Sequence, residues 1–510
     1  VNHLYEILES AADNAPHKPA LHFQNHTITY QDLKHVTDRL ASGFKSIGLG
    51  VGDRVAILLP NVPHFVFSYF ALLKIGATVI PISIMDKAAE IHHQLDDAEV
   101  RGLIYWQGLR TQVHQAICGL EQCNKIIVLG EQLELGEFRL TTLMETHAPY
   151  DHIEMVDPDD TALVFYTAGI TGRPKGAELS HHNILSNVEA CQSFFKFTED
   201  DSVVAELPLS LPVGLTLILS TFIYARASIY LMPKFDPESI LAIIAEKKPT
   251  YFIGMPSLYN ALVAMDMEET PNLDSIKFWL SIGDAIKQET FEAFEAKFNA
   301  IILEGYGLTE AGPIVSFNTP SRERNPGSIG LPLPGIDLKI LDQNGQEVRT
   351  GQVGEICIQG PSIMKGYRNK PEATKTALAD GWLHTGDLAR LDESGFPMIV
   401  ARKKNVIMKS GFSVYPREVE KFLLAYPKIQ EAVVVGLSDS NVGEEIYASV
   451  VLKAGEEATQ EEIINYCRDM MAAYKAPKTI HFVLSLPKGP SGRIMREEVK
   501  QILTDKQRYS

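Results

Sequence analysis

The chain has 510 residues, 45% of them hydrophobic and 22% charged, an ordinary globular profile with length for about three or four domains. Its formal net charge of −17 lacks the basic footprint that nucleic acid or an anionic membrane surface requires, so no nucleic-acid partner is expected. Cys118, Cys123, Cys191, Cys357 and Cys467 show no zinc-ligand spacing and predict free thiols in a reducing, cytoplasmic setting.

No basic-then-apolar leader opens the chain, so no secretory signal is expected. The most apolar run, LPVGLTLILSTFIYA at 211–225, is shorter than the roughly 18–20 residues of a membrane span. It predicts a buried helix, and no transmembrane segment is expected.

In chain order, TITYQDL ends a strand and begins a helix, with Thr29 and Asp32 spaced as a capping box. Leu33, Val36, Leu40 and Phe44 form its apolar stripe. A strand (VAILL, 55–59), a helix (62–74) and a strand (ATVIPI, 77–82) follow. Strands apolar at every position suit a parallel sheet covered on both faces. After the acidic linker MVDPDD (155–160) the rhythm returns: strand ALVFY, a glycine-rich loop, and a helix capped by Ser180. Further strands are SVVAEL, SIYLM, YFIGM, FWLSI and AIILEGYG, with helices between them, including 286–298.

From about 321 to 400, frequent Gly and Pro with short alternating strands predict a β-rich unit. RKKN (402–405) is a charged joint before an α+β tail, whose last dozen residues are expected to be mobile. The expected class is α/β. An N-terminal domain over 1–401 comprises layered α/β subdomains at about 1–155 and 156–320 and a β-rich subdomain at 321–400. A small mobile α+β domain covers 402–510.

YTAGITGRPKG (166–176) has the composition of an anion nest. Glycines let the backbone approach an anion, Lys175 adds a charge, and Thr167 and Thr171 carry hydroxyls. Pro174 before the lysine removes the P-loop NTPase pattern; a phosphate loop and a plain turn both stay open. In EGYGLTEAG (304–312), Tyr306 between glycines suits a purine face, Thr309 offers a hydroxyl, and Glu310 is a hard ligand for Mg²⁺. Asp387, in GWLHTGDL, either accepts ribose hydroxyls or closes an Asx-turn. Arg402 and Lys404, taken alone, read equally as a solvated surface pair.

Together and in this order, YTAGITGRPKG, EGYGLTE, TGD, ARKKNVIMKSGFSVYPREVE and PKGPSGRIMRE resemble the adenylate-forming superfamily of acyl-CoA synthetases, adenylation domains and luciferases. The resemblance spans nearly the whole chain and leans toward fatty-acyl or aryl-CoA ligases. It implies that a carboxylic acid and ATP form acyl-AMP with release of pyrophosphate, and that the CoA thiol then takes the acyl group. It also implies site roles. Thr167, Ala168, Gly169, Thr171, Gly172 and Lys175 would hold the β- and γ-phosphates. Thr309 would meet the α-phosphate and Glu310 the Mg²⁺. Gly283, Asp284, Glu304, Gly305, Tyr306 and Gly307 would frame the adenine, with Ile399 beside them. Asp387 and Arg402 would hold the ribose, Lys404 would be the hinge, and Gly411 would line the thiol tunnel. An acyl carrier protein as acceptor, and a homodimer, are compatible with this family.

Five positions, at three places in the chain, depart from the family pattern. Ala168 and Ile170 stand where hydroxyls are usual, and Ser210 and Leu211 where an aromatic and a histidine are usual. Arg493 replaces the lysine of the PSGK motif, setting a broad planar fork where a compact ammonium would bridge carboxylate and α-phosphate. Slower adenylation is the expectation. Two other readings are open at this point: a relative that mainly thioesterifies acyl-AMP or loads a carrier protein, and a silent nucleotide- or acyl-binding protein. The run at 214–224 and IGMPSLY (253–259) are expected to line an acyl pocket. No acidic residue follows Pro208 at the strand-to-helix step to hold an α-amino group.

Overall fold

The computed structural model describes residues 2–167, 174–234, 236–267, 271–319, 324–410, 412–439, 442–489 and 494–509. By packing, the chain divides into two compact units, one of residues 1–338 with 358–384 and one of 339–357 with 385–510.

The first unit holds two large sheets flanked by helices. One has eight strands in the order Gly366–Tyr367, Lys175–Ser180, Thr161–Thr167, Thr78–Pro81, Arg54–Leu58, Gly102–Trp106, Lys125–Leu129 and Glu137–Arg139. Val55 to Leu58 are all buried, as expected of a parallel strand covered on both faces. The helix Pro63–Lys74 begins with proline at its first position and is buried almost throughout. Even Lys74 is enclosed, paired with Asp38 at 2.5 Å. The Thr29–Asp32 capping box and the Ser180 cap both form, opening the helices Tyr30–Ser46 and His181–Phe195.

The other sheet has nine strands. Its parallel core runs Ile302–Gly307, Phe278–Ser281, Tyr251–Gly254, Ser202–Ala205 and Ser228–Leu231. On one face Phe252, Tyr259, Trp279 and Phe294 interlock in a single aromatic cluster.

The apolar run expected as a buried helix is buried, but it is wound more widely. Gly214–Ser220 form a π-helix, followed by the α-helix Thr221–Tyr224. The Ser220 and Thr221 hydroxyls donate to the carbonyls of Leu215 and Thr216, five residues back, at 2.8 and 2.9 Å. These side chains support the wider turn. Among the described residues, no helix is long and apolar enough to cross a membrane.

In the second unit, Ile429–Asp439 and Gly443–Leu452 form a long antiparallel pair, extended by Ile407–Lys409, Phe412–Val414 and Thr479–Phe482. The helices Pro416–Ala425 and Gln460–Met470 pack on one face through Val419, Leu423, Ile463 and Cys467. The last residues correct an expectation. Arg496–Tyr509 is a helix, and Val499 and Leu503 bury themselves against Val433 and Val435 on the opposite face. An apolar contact with a distant strand outweighs the polar composition of this tail.

Candidate functional site

Thr167 and Glu310 lie at or just past the carboxyl ends of their strands, where α/β sheets commonly bind ligands. Thr167 ends the strand before the glycine-rich loop, and Lys175 begins the strand after it. The two lie opposite each other in the antiparallel register. Ala168, Gly169, Ile170, Thr171 and Gly172 lie outside the described residues.

Glu310 sits in the short 3-10 turn Thr309–Ala311, directly after the strand Ile302–Gly307. Its Oε1 accepts a hydrogen bond from Tyr367 Oη at 2.6 Å and a longer one from Thr167 Oγ1 at 3.5 Å. The Lys175 ammonium lies 4.1 Å from the centroid of the same Tyr367 ring, a cation–π distance. Thr167, Lys175, Glu310 and Tyr367 are thus one cluster.

Tyr367 was not among the residues singled out from the sequence. It is held by the Gly366–Tyr367 strand, which pairs with the strand carrying Lys175. Its amide donates to Thr374 Oγ1 at 2.9 Å. The one local signal was an aromatic residue in GYRNKP, which carries no phosphate-binding pattern of its own.

The glycines beside Tyr306 answer to a neighbouring strand. A Cβ on Gly305 would meet the Phe317 ring at 2.5 Å, and one on Gly307 would meet the Pro313 carbonyl oxygen at 2.2 Å. Tyr306 itself is 7% exposed. The Glu304 carboxylate accepts the amides of Ile286 and Gly327 at 3.2 and 2.7 Å, and burial raises its pKa. It ties two loops to the strand end. Gly283 takes a positive φ of 104°, and the adjacent Asp284 is exposed, its Oδ1 accepting the Ala285 amide.

A cavity of about 470 Å³ opens beside Lys175, lined also by His93, Asp96, Asp97, Pro174, Lys370 and Ala373. His93 Nε2 lies 2.8 Å from the Pro174 carbonyl oxygen, anchoring one end of the glycine-rich loop.

In the second unit Asp387 and Arg402 face each other across an antiparallel pair. Arg402 Nε lies 2.8 Å from Asp387 Oδ1, and Asp387 is 4% exposed. Its amide donates to Thr385 Oγ1 at 3.1 Å. Ile399 lies on the same strand as Arg402, paired with Ala389. Lys404 stands in the turn Lys403–Asn405 and pairs with Glu497 at 3.6 Å. Gly411 and Arg493 lie outside the described residues.

In the first unit a carboxylate, a hydroxyl and an ammonium stand together in Glu310, Thr167 and Lys175. Such groups suit a nucleoside triphosphate. Residues 8–368 match the AMP-binding enzyme family, and residues 418–493 match the AMP-binding enzyme C-terminal domain. The long-chain-fatty-acid–CoA ligase of Bacillus subtilis (strain 168) is 36% identical, covering 98% of this chain and 95% of that protein. A feruloyl-CoA synthase from Amycolatopsis sp is 31% identical over 96% of each. The crystal structure of ATP-bound MatB from Rhodopseudomonas palustris superposes with a TM-score of 0.91 at 29% identity, covering 99% of both chains.

The chain therefore belongs to the adenylate-forming, AMP-binding enzyme family. It is an AMP-forming acyl-CoA synthetase, an ATP-dependent acid–thiol ligase that works through acyl-AMP and uses ATP and CoA. Similarity to such ligases over nearly the full length does not favour the impaired and silent readings.

Proposed function

We propose that the enzyme activates a fatty or aryl carboxylic acid, and that the Glu310–Tyr367–Lys175 cluster is the phosphate end of its ATP site. The observation carrying this reading is the Tyr367 bridge, which holds an acceptor carboxylate and a cation on one ring. The similarity to fatty-acyl and feruloyl ligases supports the substrate class.

Thr167, Lys175 and the loop Ala168–Gly172 hold the β- and γ-phosphates, and Thr309 donates to the α-phosphate. Gly283, Asp284 and the 304–307 segment frame the adenine, with Ile399 beside it, while Asp387 and Arg402 hold the ribose. A carboxylate offers about four lone-pair positions. Tyr367 and Thr167 use only some of those on Glu310, so it fits a hard cation. Mg²⁺ bound there would neutralise phosphate charge.

In the first step a carboxylate oxygen of the acid attacks the α-phosphorus. The bond to pyrophosphate breaks, and pyrophosphate leaves with the electron pair. Lys175 and the Arg493 guanidinium offset the repulsion between two anions as they meet. In the second step the CoA sulfur attacks the acyl carbon. The carbon–oxygen bond to AMP breaks, AMP leaves, and the thiol proton passes to solvent. Gly411 lines the thiol's path, and Lys404 is the hinge of the domain spanning 402–510. A reducing, cytoplasmic setting accords with five free cysteines.

The test is a panel of alkyl and aryl acids with ATP, Mg²⁺ and CoA, scored by product mass. Acyl-CoA, AMP and pyrophosphate are expected in equal amounts. Absence of both pyrophosphate exchange and acyl transfer from synthetic acyl-AMP, across the whole panel, overturns the reading.

A further inference from the structure

On either side of the glycine-rich loop, Tyr166 pairs with Gly176 and Thr167 with Lys175 in the antiparallel register. Side chains alternate along a strand, so the two residues that lead into the loop face opposite ways. Thr167 turns to Glu310, 3.5 Å from its Oε1. Tyr166 turns to the helix Ala88–Asp97, where its hydroxyl donates to Asp97 Oδ2 at 2.8 Å. Burial and the Asp97 charge raise the pKa of the Tyr166 phenol, which keeps it a donor.

The other end of the loop meets the same helix. His93 Nε2 lies 2.8 Å from the Pro174 carbonyl oxygen. A carbonyl only accepts, so Nε2 carries the proton and the imidazole is the donor. The His93 ring also meets the Tyr166 ring edge-on, with centroids 6.0 Å apart. Residues at i and i+4 share a helix face, and His93 and Asp97 have that spacing. One helix face therefore grips the chain both before and after the loop.

Polar contacts rather than packing set this grip. The cavity of about 470 Å³ opens between the helix and the loop base, with His93, Asp97, Pro174 and Lys175 in its lining. A segment with few apolar contacts opens easily, so the two hydrogen bonds carry its position. The helix itself is fixed. Ile91 and Leu95 are buried in a core with Ile80 and Val164, and His92 Nδ1 lies 2.7 Å from the Ala116 carbonyl oxygen of the next helix, Arg110–Ile117.

The same helix end reaches the Tyr367 strand. Arg368 Nε donates to the Asp97 carbonyl at 3.2 Å, and the Arg368 amide donates to the Gly176 carbonyl at 2.8 Å. Lys370 Nζ lies 3.8 Å from Asp97 Oδ1. Loop base, Lys175 strand and Tyr367 strand are thus referred to one rigid element.

We propose that His93 and Asp97 are positioning residues for the phosphate end of the ATP site, fastening the glycine-rich loop at both ends through Pro174 and Tyr166. This rests on the ligase reading above. It gives the helix Ala88–Asp97 a task in the first half-reaction alone, because acyl-AMP carries neither a β- nor a γ-phosphate.

The experiment follows both half-reactions in the full chain: exchange between ATP and pyrophosphate, and acyl transfer from synthetic acyl-AMP to CoA. His93→Leu removes the donor, His93→Gln keeps an N–H donor, and Tyr166→Phe keeps the ring without its hydroxyl. In His93→Leu and Tyr166→Phe, KM for ATP in the exchange reaction is expected to rise about 3- to 10-fold, the scale of one lost hydrogen bond. Acyl transfer stays within about twofold of wild type, which also shows each variant to be folded. His93→Gln recovers most of the wild-type value. An unchanged KM for ATP, equal losses in both half-reactions, or a His93→Gln variant as impaired as His93→Leu overturns the proposal, while exchange by wild type leaves the ligase reading standing. A wild type inactive in both half-reactions overturns that reading and this proposal with it.

Discussion

Tyr367 Oη lies 2.6 Å from Glu310 Oε1, across 57 residues of chain. One phenol thereby orients the carboxylate that follows Thr309, while its ring faces the Lys175 ammonium. Substituting Tyr367→Phe keeps the ring and removes the hydrogen bond. Losing a hydrogen bond to a charged group costs about 1.5–3 kcal/mol, so pyrophosphate exchange is expected to fall roughly 10- to 100-fold. The Mg²⁺ concentration for half-maximal rate should rise, a change that general loosening of the fold does not predict. An unaltered Mg²⁺ dependence would reduce Tyr367 to a packing residue.

Asp387→Asn removes the charge that faces Arg402 at 2.8 Å. If this pair holds the ribose, KM for ATP rises by about tenfold or more, corresponding to ~1.4 kcal/mol, while KM for the acid stays within about twofold. Steady-state kinetics with each substrate varied in turn separates the two. Equal changes in both constants would remove the nucleotide role.

Arg493→Lys restores a compact ammonium at the PSGR motif. Misplacement by about 1 Å costs roughly 10²-fold in rate, so exchange between ATP and pyrophosphate is expected to quicken. Transfer from synthetic acyl-AMP to CoA should be nearly unchanged. Slower or equal exchange in the variant would show that this enzyme is built around the guanidinium.

His3 and His181 form a buried pair with ring centroids 4.2 Å apart. The amide of Tyr5 donates to His3 Nδ1 and that of Leu4 to His181 Nδ1, each at 3.1 Å, which suits neutral rings. Burial lowers His3 to about 4 despite the nearby Glu6, and lowers His181 to about 3, with His3 adding to the effect. In the unfolded chain both titrate near 6.5, so it binds more protons below that value. Their contribution to stability is therefore complete above about pH 6.5 and is lost as pH falls toward 4 and below. Denaturant unfolding at pH 8 and at pH 5 should show a smaller acid loss in His181→Gln than in wild type. An identical loss would assign the acid sensitivity to other groups.

Much of the fold was legible because its signals are local. The capping box at Thr29 and Asp32, the Ser180 cap and the strands apolar at every position each depend on neighbours within a few residues. The tail was misread for the complementary reason. Val499 and Leu503 are buried by Val433 and Val435, more than sixty residues away in the chain, and nothing within the tail announces that contact. The site divides in the same way. Lys175, Thr309, Glu310, Asp387 and Arg402 stand in ordered motifs that carry a family resemblance without coordinates.

Residue order alone therefore determined the class of enzyme, the succession of strands and helices, and the motifs that bear its chemistry. These follow from spacing along one chain. Tertiary structure decided that Tyr367 joins Glu310 to Lys175. Strand order and register bring such residues together. Those depend on the packing of whole sheets against their helices, which no short window of sequence contains.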